Sequence, residues 1–245
     1  MLVVLGLLGW YNLAYAEQIA PSLLKGLAVT VGLVLIVIPI GFAAGLLVGW
    51  SRTSRRWIAR AVASTYVEFF RGMPPIVLIF FSWLIATRVL QFYFRVDDPF
   101  AIAFTFGVLA LGFHSAGYQA EIVRAGILSV PTGQLEAADA LGLTPRQRMF
   151  HVILPQAFRI SLPALSNEFA SVIKDTSLIS QISAFELTLV GITLVNNATR
   201  IDLNLVFIVW AQVALLYLLL TVVATRILRG VENLFKVPGL EAAQP

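Results

Sequence analysis

A charge-free apolar stretch near the start of the chain constrains its fold more than any other feature. No residue between Lys25 and Arg52 is ionisable, and residues 27–50 are almost entirely apolar. A helix crosses a bilayer in about 17–25 such residues. The chain is 59% hydrophobic and 12% charged, whereas soluble domains are about half apolar and about a quarter charged. We therefore predict an integral membrane protein.

Similar apolar segments recur along the 245 residues, which leave room for about five or six crossings in one domain. We predict an all-α membrane domain over 25–230, with residues 1–24 as an outer-surface segment and 231–245 as a cytoplasmic tail. Pro74 and Pro75 must break or kink the second crossing. The five predicted crossings are residues 27–50, 57–90, 99–125, 160–189 and 203–226.

The basic residues indicate the orientation of these crossings. Arg52, Arg55, Arg56 and Arg60 follow the first crossing, and an excess of basic residues in a short loop marks the cytoplasmic side. Five crossings then leave the N-terminus outside and the C-terminus in the cytoplasm. A cleaved signal peptide or a sixth crossing at residues 1–16 is the alternative, although the basic start of a signal peptide is missing.

Several classes of function are disfavoured by the sequence. The net charge of +4 is scattered between apolar runs, which argues against nucleic-acid binding. The chain has no cysteine, so disulfides and thiolate chemistry are excluded. Phosphate-loop, HExxH and GxSxG motifs are also missing. We expect no catalytic residue, no bound metal and no cofactor held by this chain.

Residues 129–159 are too polar to cross a membrane unaided. Good helix formers extend from Gln134 to Leu141, Gly142 is a natural stop, and Thr144-Pro145 begins a second helix. A simple amphipathic surface helix is one interpretation of this stretch. The other is a cytoplasmic docking knob, on which small side chains allow another protein to approach closely. The small residues expected to be exposed are Ala137, Ala138 and Ala140.

Polar residues also lie inside the predicted crossings. At about 100° per residue, Asn167, Ser171, Lys174, Asp175 and Gln181 fall within an arc of about 120°. Charges at the bilayer centre usually pair with one another or line a cavity. Structural ion pairs are one interpretation, and a path for a zwitterion is the other.

Two smaller groups extend the candidate path. His114, Tyr118 and Glu121 share one helix face in the third crossing, and our hypothesis is that Lys174 pairs with Glu121 while Asp175 contacts the substrate. Glu68 and Arg71 lie one turn apart beside Pro74, where they either support the kink or contribute to a gate.

The loop motif Glu136-Ala137-Ala138, with Gly142 and then Leu154-Pro155, resembles the signature of permease subunits of ATP-binding-cassette (ABC) importers. The resemblance implies a MetI-like type I fold with five membrane helices and cytoplasmic coupling helices. It also implies that Gln134, Glu136, Ala137, Ala138, Gly142, Leu154 and Pro155 contact a separate ATPase.

Further motifs resemble the branch of these permeases that takes up polar amino acids, over about residues 22–230. They are 68–72, 118–124, 167–169 and 174–178, and the last adds Thr176 and Ser177 to the candidate path. The branch commonly has Thr-Pro where this chain has Met73-Pro74, which leaves substrate choice open.

The same resemblance implies a set of partners. They are a cytoplasmic ATPase dimer that binds ATP and Mg²⁺, a second permease subunit, an external solute-binding protein, an amino acid and membrane lipid. A secondary transporter driven by an ion gradient is the alternative, since intramembrane ionisable residues also mark proton paths. Such transporters often contain internal repeats, and none is visible here.

Overall fold

The computed structural model describes residues 10–95, 98–198 and 203–235, which form helices without any strand among them. The π-helical turns Leu90–Phe94 and Met149–Ile153 and the 3-10 helix Thr176–Ile182 extend or join the α-helices. The α-helices are α1 (Trp10–Arg52), α2 (Trp57–Gly72), α3 (Pro75–Val89), α4 (Pro99–Leu128), α5 (Thr132–Ala140), α6 (Pro145–Arg148), α7 (Leu154–Asp175), α8 (Leu187–Ala198) and α9 (Leu203–Phe235).

Within the described part of the chain, four helices are long and apolar enough to cross a membrane. A bent pair of helices adds a fifth candidate crossing if the pair is counted as one. The single candidates are Ala14–Arg52, Pro75–Phe94, Pro99–Leu128 and Leu203–Phe235, and the bent pair is Pro145–Ile182 with Leu187–Asn197.

The first helix is longer than the expected crossing at 27–50. It begins at Trp10, so the described part of the predicted outer segment 1–24 is helical and continuous with the crossing. The 39 residues from Ala14 to Arg52 extend over about 58 Å at 1.5 Å per residue, well beyond the roughly 30 Å hydrocarbon core. Residues 1–9 of that predicted segment and residues 236–245 of the predicted tail lie outside the described residues.

The predicted second crossing, 57–90, consists of two separate helices. Helix α2 ends at Gly72, Met73 adopts an extended conformation, and α3 starts at Pro75. The break occurs where the two prolines predict it, because proline removes a helical N–H and restricts the residue before it. The apolar segment of membrane-spanning length therefore starts at Pro75 and continues to Phe94.

Helix α4 begins with a side-chain cap. The Oδ1 atom of Asp98 accepts hydrogen bonds from the backbone N–H groups of Phe100 and Ala101, each at 3.0 Å. Pro99 occupies the first helical position, where its missing N–H has no consequence. Asp98 and Pro99 therefore define the start of the third crossing, which was predicted to begin at residue 99.

The chain bends after α7. Its path continues through the 3-10 helix to Ile182, Ser183 adopts a left-handed φ of 64°, and α8 starts at Leu187. The axes of the two helical segments differ by 53°. The expected crossing at 160–189 therefore contains a sharp change of direction.

The described residues fall into two compact units. The first unit takes its residues from 1–37, 75–111 and 172–223, and the second from 38–74, 112–171 and 224–245. Helices α1, α4, α7 and α9 each contribute residues to both units. The chain therefore builds each unit from several segments that are distant in sequence.

Close approach of α1 and α8 organises the core of the first unit. A Cβ atom at Gly26 would lie 2.9 Å from the Cα atom of Leu187, so a larger residue cannot fit there without movement. Beside this contact, buried apolar side chains from α1, α8 and α9 form one cluster. Its buried members are Ile19, Leu23, Leu187, Val190, Val209 and Val213.

Three glycines of α1, spaced four residues apart, organise the second unit. Cβ atoms at Gly41, Gly45 and Gly49 would lie 2.7, 2.7 and 2.6 Å from atoms of Gln119 or Ala120 on α4. Small residues at this spacing let two membrane helices approach closely. A second close contact joins α4 to α7, where a Cβ atom at Gly126 would overlap the Ser161 side chain.

Candidate coupling loop and translocation residues

The predicted helix, turn and second helix of the polar loop are all present. Helix α5 ends in a Schellman motif, in which Leu143 N–H donates to the Ala138 carbonyl at 3.1 Å and Gly142 N–H to the Asp139 carbonyl at 3.0 Å. Gly142 has a φ of 72°, which glycine adopts without strain. Thr144 then caps α6 through a capping box with Gln147.

Polar contacts attach α5 to the segments that follow it. The Arg148 Nη1 atom lies 2.6 Å from both carboxylate oxygens of Asp139. Gln156 Nε2 donates to Gln134 Oε1, which connects α5 to the first turn of α7. The loop is therefore braced at both ends of α5.

One face of α5 is exposed and the other is buried. Glu136, Ala137 and Ala140 are exposed, and Leu141 keeps 80% of its surface exposed. We call these residues the exposed α5 face. Ala138, expected to be exposed, is 3% exposed, so that prediction was wrong. Leu135 packs on the core of the second unit, and Ala138, three residues later, falls on the same inward side of the helix.

The Leu-Pro pair marks the start of α7. Leu154 is partly buried and is the first residue of the helix, and Pro155 is exposed. The π-helical turn before it contacts α1, since the Phe150 ring stacks edge-on against Trp50 with centroids 5.8 Å apart. The beginning of α7 is therefore positioned by both α5 and the end of α1.

The Glu121 carboxylate is surrounded by arginines. Arg52 from the end of α1 donates to Oε2, Arg124 Nη2 lies 2.5 Å from Oε1, and Arg71 lies 3.8 Å from Oε2. We expected Lys174 as its partner, so the pairing found is a different one. The attraction between opposite charges favours this arrangement. Because Glu121 keeps 27% of its side-chain surface exposed, water competes with these ion pairs.

His114 and Tyr118 lie on the same face of α4, as the helical spacing predicts. Their rings stack edge-on with centroids 5.3 Å apart. His114 Nδ1 lies 2.8 Å from the Phe70 carbonyl oxygen in the last turn of α2. The guanidinium of Arg71 lies 5.1 Å from the Tyr118 ring centre, close enough for a cation–π contact. These residues attach the end of α2 to α4.

Glu68 was the suggested partner of Arg71. In the structure, Arg71 instead contacts Glu121 and Tyr118. Glu68 is exposed, and so is Pro74. Glu68 lies near the end of α2, and Pro74 lies in the break between α2 and α3. All three residues expected to form a gate or support a kink are therefore exposed, and Arg71 also contacts α4.

The candidate path residues near the end of α7 differ in exposure. In the second unit, Asn167 is exposed and Ser171 is partly buried. In the first unit, Lys174 is exposed, while Asp175 and Ser177 are partly buried.

Thr176 and Gln181 lie just beyond α7, on the 3-10 helix of the first unit. Thr176 is buried and donates to the Ile173 carbonyl at 2.7 Å. Its side chain therefore stabilises the junction between α7 and the 3-10 helix. Gln181 is exposed, like Asn167 and Lys174.

Two hydrogen-bond networks around carboxylates, one partly buried at Glu168 and one buried at Glu186, were not assigned a role from the sequence. In the second unit, Ser115 donates to Glu168 at 2.8 Å and accepts from Gln119 at 2.9 Å. In the first unit, fully buried Glu186 accepts from Tyr217 at 2.8 Å and from the Leu189 N–H at 2.8 Å. The sequence does show a carboxylate within an apolar segment, but this pattern does not identify the residues that hydrogen-bond to it.

The first-unit network also reaches α1. Thr30 Oγ1 lies 3.4 Å from Glu186 Oε2 and accepts a hydrogen bond from the Leu187 N–H. Glu186 therefore caps α8 and connects it with α1 and α9. The described residues contain no group of three potential metal-ligating side chains that could hold an ion.

Residues 37–237 match the family described as "Binding-protein-dependent transport system inner membrane component". The match covers most of the chain. The chain belongs to this family. It is a multi-pass membrane protein and an ABC permease of the amino-acid class, as the resemblance of the loop motif and of the further motifs implied.

Curated relatives agree with this assignment. The permease is 35% identical to the glutamine transport system permease protein GlnP of Escherichia coli (strain K12) over 89% of this chain and 94% of that protein. It is 38% identical to the L-cystine transport system permease protein TcyB of Bacillus subtilis (strain 168) over 86% and 88% of the respective lengths.

Solved structures support the MetI-like fold. A chain of a crystal structure described as an amino acid ABC transporter with histidines superposes with a TM-score of 0.75 at 34% identity, over 89% of this permease and 95% of that chain. A chain of the inward-facing MetNI methionine ABC transporter has a TM-score of 0.65 at 23% identity, over 88% and 98%. The second likeness concerns the fold alone.

Proposed function

We propose that this permease forms the translocation path for a polar amino acid and couples it to ATP hydrolysis by a separate ATPase. The exposed α5 face is the observation that carries the proposal. A short helix presents a carboxylate, small side chains and an exposed leucine outward, while its other side is packed and braced. Such a helix suits insertion into a cleft of a partner.

The contacts of α5 explain how a partner's movement would reach the membrane helices. Asp139 is bound to Arg148, and Gln134 to Gln156 near the start of α7. A push on the exposed α5 face would therefore move α6 and the beginning of α7 with it. Because α7 carries Asn167 and Lys174, the displacement would reach the candidate path residues.

The proposed assembly contains two permease subunits, either identical or closely related, on an ATPase dimer that binds ATP and Mg²⁺. An external binding protein delivers the amino acid, which is consistent with the family's description as binding-protein-dependent. In this assembly the N-terminus is outside, and the α5 loop and C-terminus are cytoplasmic. Arginines on the loop that follows α1 support that orientation.

A polar amino acid is the proposed substrate because GlnP and TcyB carry glutamine and L-cystine in their names. In the proposal Asp175 contacts the substrate ammonium group, and Lys174 lies within reach of its carboxylate. If Asp175→Ala leaves uptake unchanged for every amino acid that the assembled transporter carries, this residue assignment is wrong. Uptake of labelled amino acids into vesicles measures the effect.

The coupling proposal is tested with Glu136→Arg in vesicles that contain the assembled transporter. We expect uptake to fall by at least about tenfold, because a reversed charge at a close-packed interface repels the partner. Glu17→Arg makes the same charge change at an exposed position of α1 and should retain uptake. Full uptake by Glu136→Arg, or uptake by this chain without an ATPase, would contradict coupling through α5.

A further inference from the structure

A cluster of basic and apolar side chains at the corner between α1 and α2 has no role in the proposed coupling. Arg55, Arg56 and Arg60 are all exposed. Between them, Trp57 has 70% and Ile58 59% of its surface exposed. We call these five residues the corner patch. A concentrated positive charge and a large exposed aromatic ring therefore occupy six consecutive positions of the chain.

The patch differs from the neighbouring Arg52 in its electrostatic environment. Arg52 is paired with Glu121 and also donates to the Ser64 hydroxyl at 3.3 Å. Among the described residues, no carboxylate lies within 4.0 Å of the guanidinium groups of Arg55, Arg56 or Arg60. The first turn of α2 also contains no acidic residue. The patch thus carries positive charge that the described part of the chain does not neutralise.

Helix α2 continues the patch as an apolar exposed stripe. Ile58, Val62 and Phe69 are 59%, 66% and 52% exposed, at spacings that place them on one side of the helix. The opposite side is buried at Ala63 and Val67. A helix that combines exposed arginines at one end with Trp and aliphatic side chains on one face is typical of segments in the lipid headgroup and acyl boundary.

We propose that the corner patch binds the headgroups of anionic phospholipids. In this arrangement Arg55, Arg56 and Arg60 contact the lipid phosphates, and Trp57 and Ile58 enter the acyl boundary. Basic clusters directly beside a membrane helix attract anionic lipids, and guanidinium groups pair with phosphate oxygens in a bidentate geometry. Charge complementarity favours these lipids over zwitterionic ones.

The position of the patch suggests what lipid binding would change. The turn that joins α1 to α2 is short, with Thr53 N–H donating to the Trp50 carbonyl and Ser54 N–H to the Ser51 carbonyl. Arg52, which starts this turn, holds Glu121 on α4. Lipid bound at the corner would therefore stabilise the beginning of α2 next to the Arg52–Glu121 pair.

The absence of cysteine from the sequence permits a direct measurement. Ala61 is exposed one residue beyond the patch, and an Ala61→Cys chain carries a fluorophore there. The labelled full chain, in its assembled transporter, is placed in phosphatidylcholine vesicles in which either brominated phosphatidylglycerol or brominated phosphatidylcholine acts as the quencher. We expect phosphatidylglycerol to be preferred by about fivefold or more.

Substitutions of the three arginines distinguish an effect of their positive charge from an effect on the fold. Arg55→Gln, Arg56→Gln and Arg60→Gln together should reduce the preference to near one, whereas the triple Arg→Lys chain should retain most of it. A fluorophore at Leu219→Cys, on an exposed part of α9, provides the matched control and should show no preference. Unchanged thermal unfolding midpoints confirm that the Gln chain is folded.

Two outcomes would overturn the proposal. One is equal quenching by the two lipids at Ala61→Cys, or a preference that survives in the Gln chain. The other is displacement of phosphatidylglycerol by inorganic phosphate at matched ionic strength, which would make the patch a site for free phosphate. Uptake is assayed separately in the same vesicles, so failure of the lipid proposal leaves the coupling proposal standing.

Discussion

The two units each contain a conspicuous glutamate, and the two side chains are stabilised in different ways. In the first unit Glu186 is fully buried and accepts hydrogen bonds from neutral donors, including Tyr217. In the second unit Glu121 is partly exposed and is held by Arg52, Arg71 and Arg124. A buried polar group requires its donors, while a partly exposed ion pair is weakened by competition with water.

The difference in burial indicates which of the two glutamates is more costly to remove. Removal of Glu186 would leave buried donors without an acceptor, and each such group costs about 1–3 kcal/mol. Removal of Glu121 would leave three arginines that differ in their access to water, with side chains 15% exposed at Arg52, 33% at Arg124 and 42% at Arg71. Residue type alone does not distinguish the two cases.

The largest effect is expected from Glu186→Ala. Loss of the carboxylate leaves the Leu189 N–H unpaired and weakens the contacts of Tyr217 and Thr30, so we expect a loss of about 3 kcal/mol in unfolding free energy. Thermal or denaturant unfolding in detergent measures it. Glu186→Gln keeps an acceptor oxygen and should lose much less. Equal losses for Ala and Gln would show that the negative charge, and not the acceptor, matters.

An intermediate effect is expected from Gly49→Val, which tests whether close helix packing holds the second unit together. The new Cβ atom would lie 2.6 Å from the Ala120 carbonyl oxygen, and overpacking of this kind costs about 1–3 kcal/mol. Because α1 also carries Arg52, its separation from α4 should weaken the Arg52–Glu121 pair. Unfolding measurements give the change in stability.

Gly32 supplies the matched control for that substitution. It lies on the same helix, but apart from its chain neighbours and the adjacent helix backbone, a Cβ atom there would have no atom within 4 Å. We expect Gly32→Val to change unfolding free energy by less than about 1 kcal/mol. If both substitutions destabilise the protein equally, the α1–α4 contact is not what limits the size of these residues.

The smallest effect is expected from Glu121→Gln. Partly exposed ion pairs contribute up to about 1 kcal/mol and are screened by salt. The loss in unfolding free energy should therefore be small at low salt and smaller still at high salt. Arg124→Gln removes one partner and should change stability by no more than that. A loss as large as that of Glu186→Ala would remove the distinction between the two units.

Local features of the fold were predictable because their causes lie within a few residues. The α5 stop at Gly142 and the cap at Thr144 depend on adjacent backbone groups, and both are present as predicted. The break before Pro75 follows from proline chemistry in the same way. The GxxxG-type spacing of Gly41, Gly45 and Gly49 was also available in the sequence, but spacing alone does not identify α4 as the partner helix.

The sequence by itself determined that this chain crosses a membrane, that its polar loop forms a helix, a stop and a second helix, and that the loop resembles an ABC permease signature. Hydropathy, capping and proline chemistry act over short stretches, so the order of residues suffices. Only the tertiary structure decided that Glu121 pairs with arginines, that Ala138 faces inward, and that Glu186 connects three helices. Those outcomes depend on which distant segments pack together, and charge or helical period along one segment does not specify that choice.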